Sequence, residues 1–192
     1  MGYALIVVGA SLGGFHALET LIGGLPRDFP LPIAVVQHRS SDSDELLSSL
    51  LRRSSRLPIV EVEDKQAITP GEIYIAPANY HLLVEEGHFA LSTEGPVQFA
   101  RPSIDVLFES AADAYRERVV AVLLSGSNKD GARGMTRIKE CGGLAVVQDP
   151  ASAESSRMPE AAIAATQVDH VLPLSEIARH LGKLVSGSEV SL

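Results

Sequence analysis

Only one cysteine, Cys141, stands in 192 residues, so no disulfide can form within the chain. That suits a reducing compartment, and a cytoplasmic location is expected. Tryptophan is absent, and the 16 Lys and Arg are outnumbered by 24 Asp and Glu, a formal net charge of −8. An acidic domain without a basic stripe is a poor binder of nucleic acid, so no such partner is expected. No apolar run approaches the roughly 20 residues a helix needs to cross a bilayer, which argues against membrane insertion. The start, Met1-Gly-Tyr-Ala-Leu-Ile-Val-Val-Gly9, has neither the charged segment nor the cleavage site of a signal peptide. Ile6 stands where a myristoylation pattern wants Ser or Thr. Two histidines four apart with a glutamate between them are missing, as is any Cys/His cluster, so neither a metal nor a cofactor is expected.

What is present is a one-domain length and an alternation of short apolar runs with helix-length amphipathic segments. Ala4–Val8, Ile33–Val36 and Val119–Leu124 are unbroken apolar runs, as in strands buried on both faces. Shorter strands are expected at Ile59–Val62, Ile73–Ala76, Leu144–Val147 and Val168–Leu172, with helices at Gly13–Leu21, from about Ser41 to Leu51, from a capping Ser103 to about Arg116, and at Ala132–Glu140, Pro159–Ala165 and Leu174–Leu184. Leu82–Val84 and Phe89–Leu91 flank Glu85-Glu86-Gly87-His88, a hairpin signal. This order predicts an α/β fold, a three-layer doubly wound, mostly parallel sheet with an antiparallel hairpin added.

Ligands of open α/β sheets bind beyond the carboxyl ends of the strands. Three such ends carry Gly9-Ala-Ser11-Leu-Gly13, Gln37-His38-Arg39 and Ser125-Gly-Ser-Asn-Lys-Asp130-Gly131. A hydroxyl, an imidazole and a carboxylate on one edge are the parts of a Ser-His-Asp triad. Gly9-x-Ser11-x-Gly13 fits the turn that exposes a nucleophilic serine between strand and helix. The same turn suits a dinucleotide phosphate on a helix N-terminus, though Ser11 stands where the second glycine of G-x-G-x-x-G belongs, and it also suits a plain capped turn. His38 is read as the base, imidazole having an ordinary pKa of about 6.5. Asp130 is read either as the orienting carboxylate or as a cap of the helix from Ala132, with Ser127 or Asn128 as alternative caps.

Taken in order, Val8-Gly-Ala-Ser-Leu-Gly-Gly14, Val35-Val-Gln-His38, Ile73-Tyr-Ile-Ala-Pro77 with His81, Arg101-Pro-Ser-Ile-Asp105, Asp130-Gly-Ala132 and Met158-Pro159 resemble the catalytic domain of the chemotaxis protein-glutamate methylesterase (CheB) family, from about Ala4 to Leu184. The resemblance implies Ser11 as nucleophile, His38 as general acid and base, and Asp130 as orienting carboxylate. The implied reaction is hydrolysis of glutamate γ-methyl esters on a methyl-accepting chemotaxis receptor, with glutamine deamidation as a related activity. Backbone oxyanion donors are expected at Leu12 and Ser127, and substrate contacts at Arg39 and Met158. The chain departs from the family pattern with Ser125-Gly-Ser-Asn128 in place of Thr-Gly-Met-Gly, with Leu12 where Thr is common, and with Arg39 where Met is common. Residues 1–184 are expected to form the catalytic domain and 185–192 a disordered tail, with no receiver domain. An inactive binding or regulatory module of the same fold and a nucleotide-binding Rossmann-like domain are the alternatives.

Among the other residues, His81 is read as structural or as a wall of the site, and His16, His88, His170 and His180 as surface or packing. Cys141 is read as packing. Arg101 and Asp105, four apart, are expected to pair at a helix start, and Pro159 to stand at the first position of its helix.

Overall fold

The computed structural model describes residues 2–38 and 44–187. Seven parallel strands form the main sheet: β1 (Leu5–Ala10), β2 (Ile33–Gln37), β3 (Ile59–Glu61), β4 (Ile73–Ile75), β7 (Val119–Leu123), β8 (Leu144–Gln148) and β9 (His170–Leu172), in the order β3-β4-β2-β1-β7-β8-β9. Strands β1, β2 and β7 are buried throughout because helices cover both faces. Alternate residues of β1 serve opposite layers. Ile6 and Val8 pack with Leu18 and Leu21 of α1 (Gly14–Gly23), Leu51 of α2 (Asp44–Ser54) and Leu181 of α6 (Leu174–Val185). Leu5 and Val7 face Leu107 and Phe108 of α3 (Ile104–Tyr115), Met135 of α4 (Ala132–Glu140) and Ala162 of α5 (Arg157–Ala165).

The expected hairpin forms, as β5 (His81–Glu85) and β6 (His88–Ser92), but as a separate two-stranded sheet. It joins the α3 layer through Leu82, Val84 and Phe89, and the Phe89 ring lies 4.8 Å from that of Tyr74 on β4. Helix α5 begins at Arg157, two residues before Pro159, so the proline sits inside the first turn, where a missing N–H costs no helical bond. The tail expected over residues 185–192 lies, beyond Gly187, outside the described residues.

The chain goes from β1 to β2 on one side and comes back to β7 on the other, so their carboxyl ends enclose the crevice where the sheet's winding reverses. Close packing of α3 across β1 requires Gly9: a Cβ there would lie 2.4 Å from Ile104 Cγ2. Gly9→Ala is expected to lower stability by about 1–3 kcal/mol through overpacking. Urea unfolding measures this, and an unchanged midpoint would show that α3 can withdraw.

Candidate active site

Each expected triad residue leaves the end of one of the three central strands. Ser11 follows β1, and its amide donates to Ser125 O at 2.9 Å. The turn then passes through Gly13 at φ 74, a left-handed conformation that favours glycine. A Cβ at Gly13 would also meet Ser125 Oγ at 2.8 Å. His38 follows β2, its amide bonded to Ala10 O at 3.0 Å. Gln37 fastens these two ends together: its side-chain Nε2 donates to Ser11 O at 2.8 Å and to His38 O at 2.9 Å.

His38 Nδ1 lies 3.2 Å from Ser11 Oγ, and His38 Nε2 lies 2.7 Å from Asp130 Oδ2. The carboxylate accepts from Nε2–H, which leaves the Nδ1 lone pair to receive the serine proton. The Asn128 amide also reaches Nδ1 at 3.2 Å, while its Oδ1 accepts from the Asp130 amide at 3.1 Å. In the sequence Asn128 reads as a cap and as a departure from the family's loop pattern. Its contact with the imidazole comes from a loop folding back across 90 residues, a separation no local pattern reveals.

Asp130 is fully buried and accepts four hydrogen bonds: from His38 Nε2, Ser103 Oγ, and the amides of Ile104 and Asp105. It does not cap α4. It caps α3, and α4 is capped by Asp105, whose Oδ1 accepts from the amides of Gly131 and Gly134. The two helices thus exchange carboxylate caps. This overturns two expectations. Ser103 gives its hydroxyl to Asp130 instead of capping α3, and Asp105 does not pair with Arg101, whose guanidinium donates to Thr93 O and Glu94 O. A buried helix N-terminus needs acceptors, and each aspartate reaches the neighbouring helix better than its own.

Burial pushes the Asp130 carboxyl up, but the hydrogen bonds from His38 and from the Asp105 and Ile104 amides outweigh it, aided by the His38 charge, and hold it below its ordinary value. Asp105 goes the other way: burial raises it, and the nearby Asp130 charge adds to the rise against the Gly134 amide and Arg133. Two buried carboxylates, one of which accepts from the other's backbone amide, are therefore pushed in opposite directions.

Neither the Leu12 nor the Ser127 amide, the expected oxyanion donors, has a hydrogen-bond acceptor among the described residues. Ser125 Oγ donates to Leu12 O at 2.7 Å and accepts from the Ser155 amide at 2.9 Å, which ties the nucleophile turn to the loop before α5. Met158, expected as a substrate contact, is only 1% exposed. Its side chain packs where a Cβ on Gly126 would be and supports the loop from beneath, because Met158 N also bonds Gly126 O. Arg39 lies outside the described residues. His81 is buried and structural: Nε2 donates to Gly95 O at 3.0 Å and Nδ1 accepts from the Ser103 amide at 3.2 Å.

Two clefts meet at His38. One of about 610 Å³ is lined by Ser11, Leu12, Phe15, Gln37 and Glu154 among others. The second, about 350 Å³, is lined by residues 98–102 and Asn128. Among the described residues, no three of His, Cys, Asp and Glu gather as a metal ion would require. No helix among them is long and apolar enough to cross a membrane.

The family model described as CheB methylesterase matches residues 6–181. A protein of Anaeromyxobacter dehalogenans named protein-glutamate methylesterase/protein-glutamine glutaminase 2 is 43% identical over 180 residues, 94% of this chain and 53% of that protein. A Leptospira interrogans protein provisionally given the same kind of name is 48% identical over 179 residues, 93% of each chain. The crystal structure of the Thermotoga maritima CheB methylesterase catalytic domain superposes with a TM-score of 0.92 at 33% identity, over 96% of this chain and all of that one.

Proposed function

The chain belongs to the CheB methylesterase family, and from that premise we propose that it hydrolyses glutamate γ-methyl esters on a methyl-accepting chemotaxis receptor, releasing methanol in the cytoplasm. The observation that carries this is the contact chain from Ser11 Oγ to His38 Nδ1 at 3.2 Å and from His38 Nε2 to Asp130 at 2.7 Å, on the edge where the sheet's winding reverses. Ser11 Oγ attacks the ester carbonyl as His38 Nδ1 takes its proton. Asp130 keeps the imidazole in the tautomer that makes this possible and stabilises the cation that forms. The oxyanion is received by the free amides of Leu12 and Ser127, donors typically worth about 2.7–4 kcal/mol each. His38 then gives the proton to the departing methoxide oxygen, which leaves as methanol. Water, activated by the same nitrogen, hydrolyses the acyl-enzyme on Ser11. A glutamine side chain can follow the same path with ammonia as leaving group.

A fluorophosphonate that reacts with activated serines is expected to label the protein at Ser11, together with methanol release from methylated receptor. Labelling without methanol release would leave a serine hydrolase of another specificity. Neither labelling nor release would leave a module that has kept the fold and lost the chemistry.

A further inference from the structure

Among the described residues, the two most exposed large apolar side chains are Phe99, wholly in solvent, and Leu12, 57% exposed. Single exposed hydrophobic residues are ordinary. These two, however, stand in the two clefts that meet at His38, one on either side of the base.

Phe99 is also held against its conformational preference. Val97 and Ala100 exchange both backbone hydrogen bonds, at 3.0 and 2.9 Å, which leaves Gln98 and Phe99 as the two residues of a tight turn. Both are left-handed, with φ of 49° and 64°. Such turns favour Asn-Gly, and a bulky side chain there is an outlier. Gln98 fastens the turn from within: its Nε2 donates to Asp105 Oδ2 at 2.6 Å, on the carboxylate that caps α4 beside Asp130. Arg101 secures the other side through the Thr93 and Glu94 carbonyls. The turn is thus bolted to the junction of α3 and α4 that also holds the base in place. Its polar residue reaches back to Asp105 and its aromatic residue points out. Strained positions that persist near an active site are grounds for a functional hypothesis.

We propose that Phe99, with Leu12 across the site, is a docking contact for apolar side chains flanking the methylated glutamate, so that the site selects esters carried on an amphipathic segment. This rests on the methylesterase reading above. The ester carbonyl must reach Ser11 Oγ, so the residues around the methylated glutamate fall on the two clefts. On a helix those neighbours lie three or four positions away on the same face. A chain with a net charge of −8 has no long-range attraction for an acidic segment, so recognition falls to local contacts, and the exposed apolar side chains of Phe99 and Leu12 are placed to supply them.

Two helical peptides test it, each with one glutamyl γ-methyl ester, one with leucines four residues before and after it and the other with serines there. Methanol release by the wild-type protein is expected to favour the leucine peptide about tenfold or more in kcat/KM. Phe99→Ala is expected to bring the leucine peptide down to the level of the serine peptide, through KM. Phe99→Asn is expected to lose the preference as well, yet unfold at a temperature no lower than wild type, since asparagine tolerates the left-handed turn. Equal turnover of the two peptides by wild type, a preference that survives Phe99→Ala, or early unfolding of Phe99→Asn would each overturn the docking role. Methanol from neither peptide would instead overturn the methylesterase reading, and the docking role with it.

Discussion

Replacing Ser11 by alanine is expected to cut methanol release by about a millionfold and to leave the unfolding temperature unchanged. The scale comes from triads in other hydrolases, where removal of the nucleophile alone costs nearly as much as removal of the whole set. The unchanged stability follows from local contacts. Among the described residues the Ser11 hydroxyl has its hydrogen bond with His38 Nδ1 alone, at 3.2 Å, whereas its backbone amide and carbonyl hold the turn through Ser125 O and Gln37 Nε2. Alanine keeps both backbone bonds. His38→Ala is expected to lose a similar factor, and the double variant no more than either single one, because the two groups act as one proton relay. Methanol release and thermal unfolding on the same preparations decide the matter. Turnover by Ser11→Ala within a hundredfold of wild type would remove Ser11 from the role of nucleophile.

The three strand ends that carry this chemistry could be found in the sequence because β1, β2 and β7 are buried on both faces and so read as unbroken apolar runs. The residue after each run had to lie on the sheet's carboxyl edge. The helices of the α3 layer were legible for the same reason, as stripes such as Ile104, Leu107, Phe108 and Ala111. What could not be read was which side chain satisfies which helix end. Asp130 and Asp105 each stand just before or at the start of a helix, so local rules assign each to its own. The crossed arrangement depends on α3 and α4 packing side by side, with the two partners of each bond 25 to 29 residues apart. The direction of Met158 was hidden for a similar reason. At the start of α5 it can face the rim or the core, and the space beneath it exists only because Gly126 has no side chain. Phe99 is not legible in the sequence because an aromatic residue between Gln98 and Ala100 carries no periodic signal. Its exposure is a property of the turn.

Asp130→Asn is expected to lower turnover by about ten thousandfold, the loss seen when the orienting aspartate of a serine protease is replaced in the same way. An amide presents one oxygen and one NH2. If the NH2 takes the Oδ2 position it faces His38 Nε2 and the Ile104 amide, so the imidazole adopts the other tautomer and Nδ1 can no longer accept the serine proton. If it takes the Oδ1 position it meets the Asp105 amide and the Ser103 hydroxyl. Either way a backbone donor loses its acceptor, which is expected to cost about 1–3 kcal/mol of stability at neutral pH. The wild-type carboxyl is held below its ordinary value, so its contribution is present above the unfolded pKa of about 3.9 and is lost as pH falls through the lower folded value. The deficit of Asp130→Asn should therefore shrink only in strong acid. Asp105→Asn should do the opposite. The Asp105 carboxyl is raised by burial, so the fold favours its protonated form, and that contribution fades as pH rises through the folded value. An asparagine mimics the protonated state. Its oxygen can keep the Gly131 and Gly134 amides, and Gln98 can turn its own carbonyl toward the new NH2. Asp105→Asn is thus expected to be more stable than wild type at pH 7, with the gain vanishing below about pH 4, near the ordinary carboxylate value. Urea unfolding of both variants at pH 7 and at pH 4 reads the two signs. The same sign for both aspartates at pH 7 would show that the crossed caps act as a single charged unit, and would refute their opposed shifts.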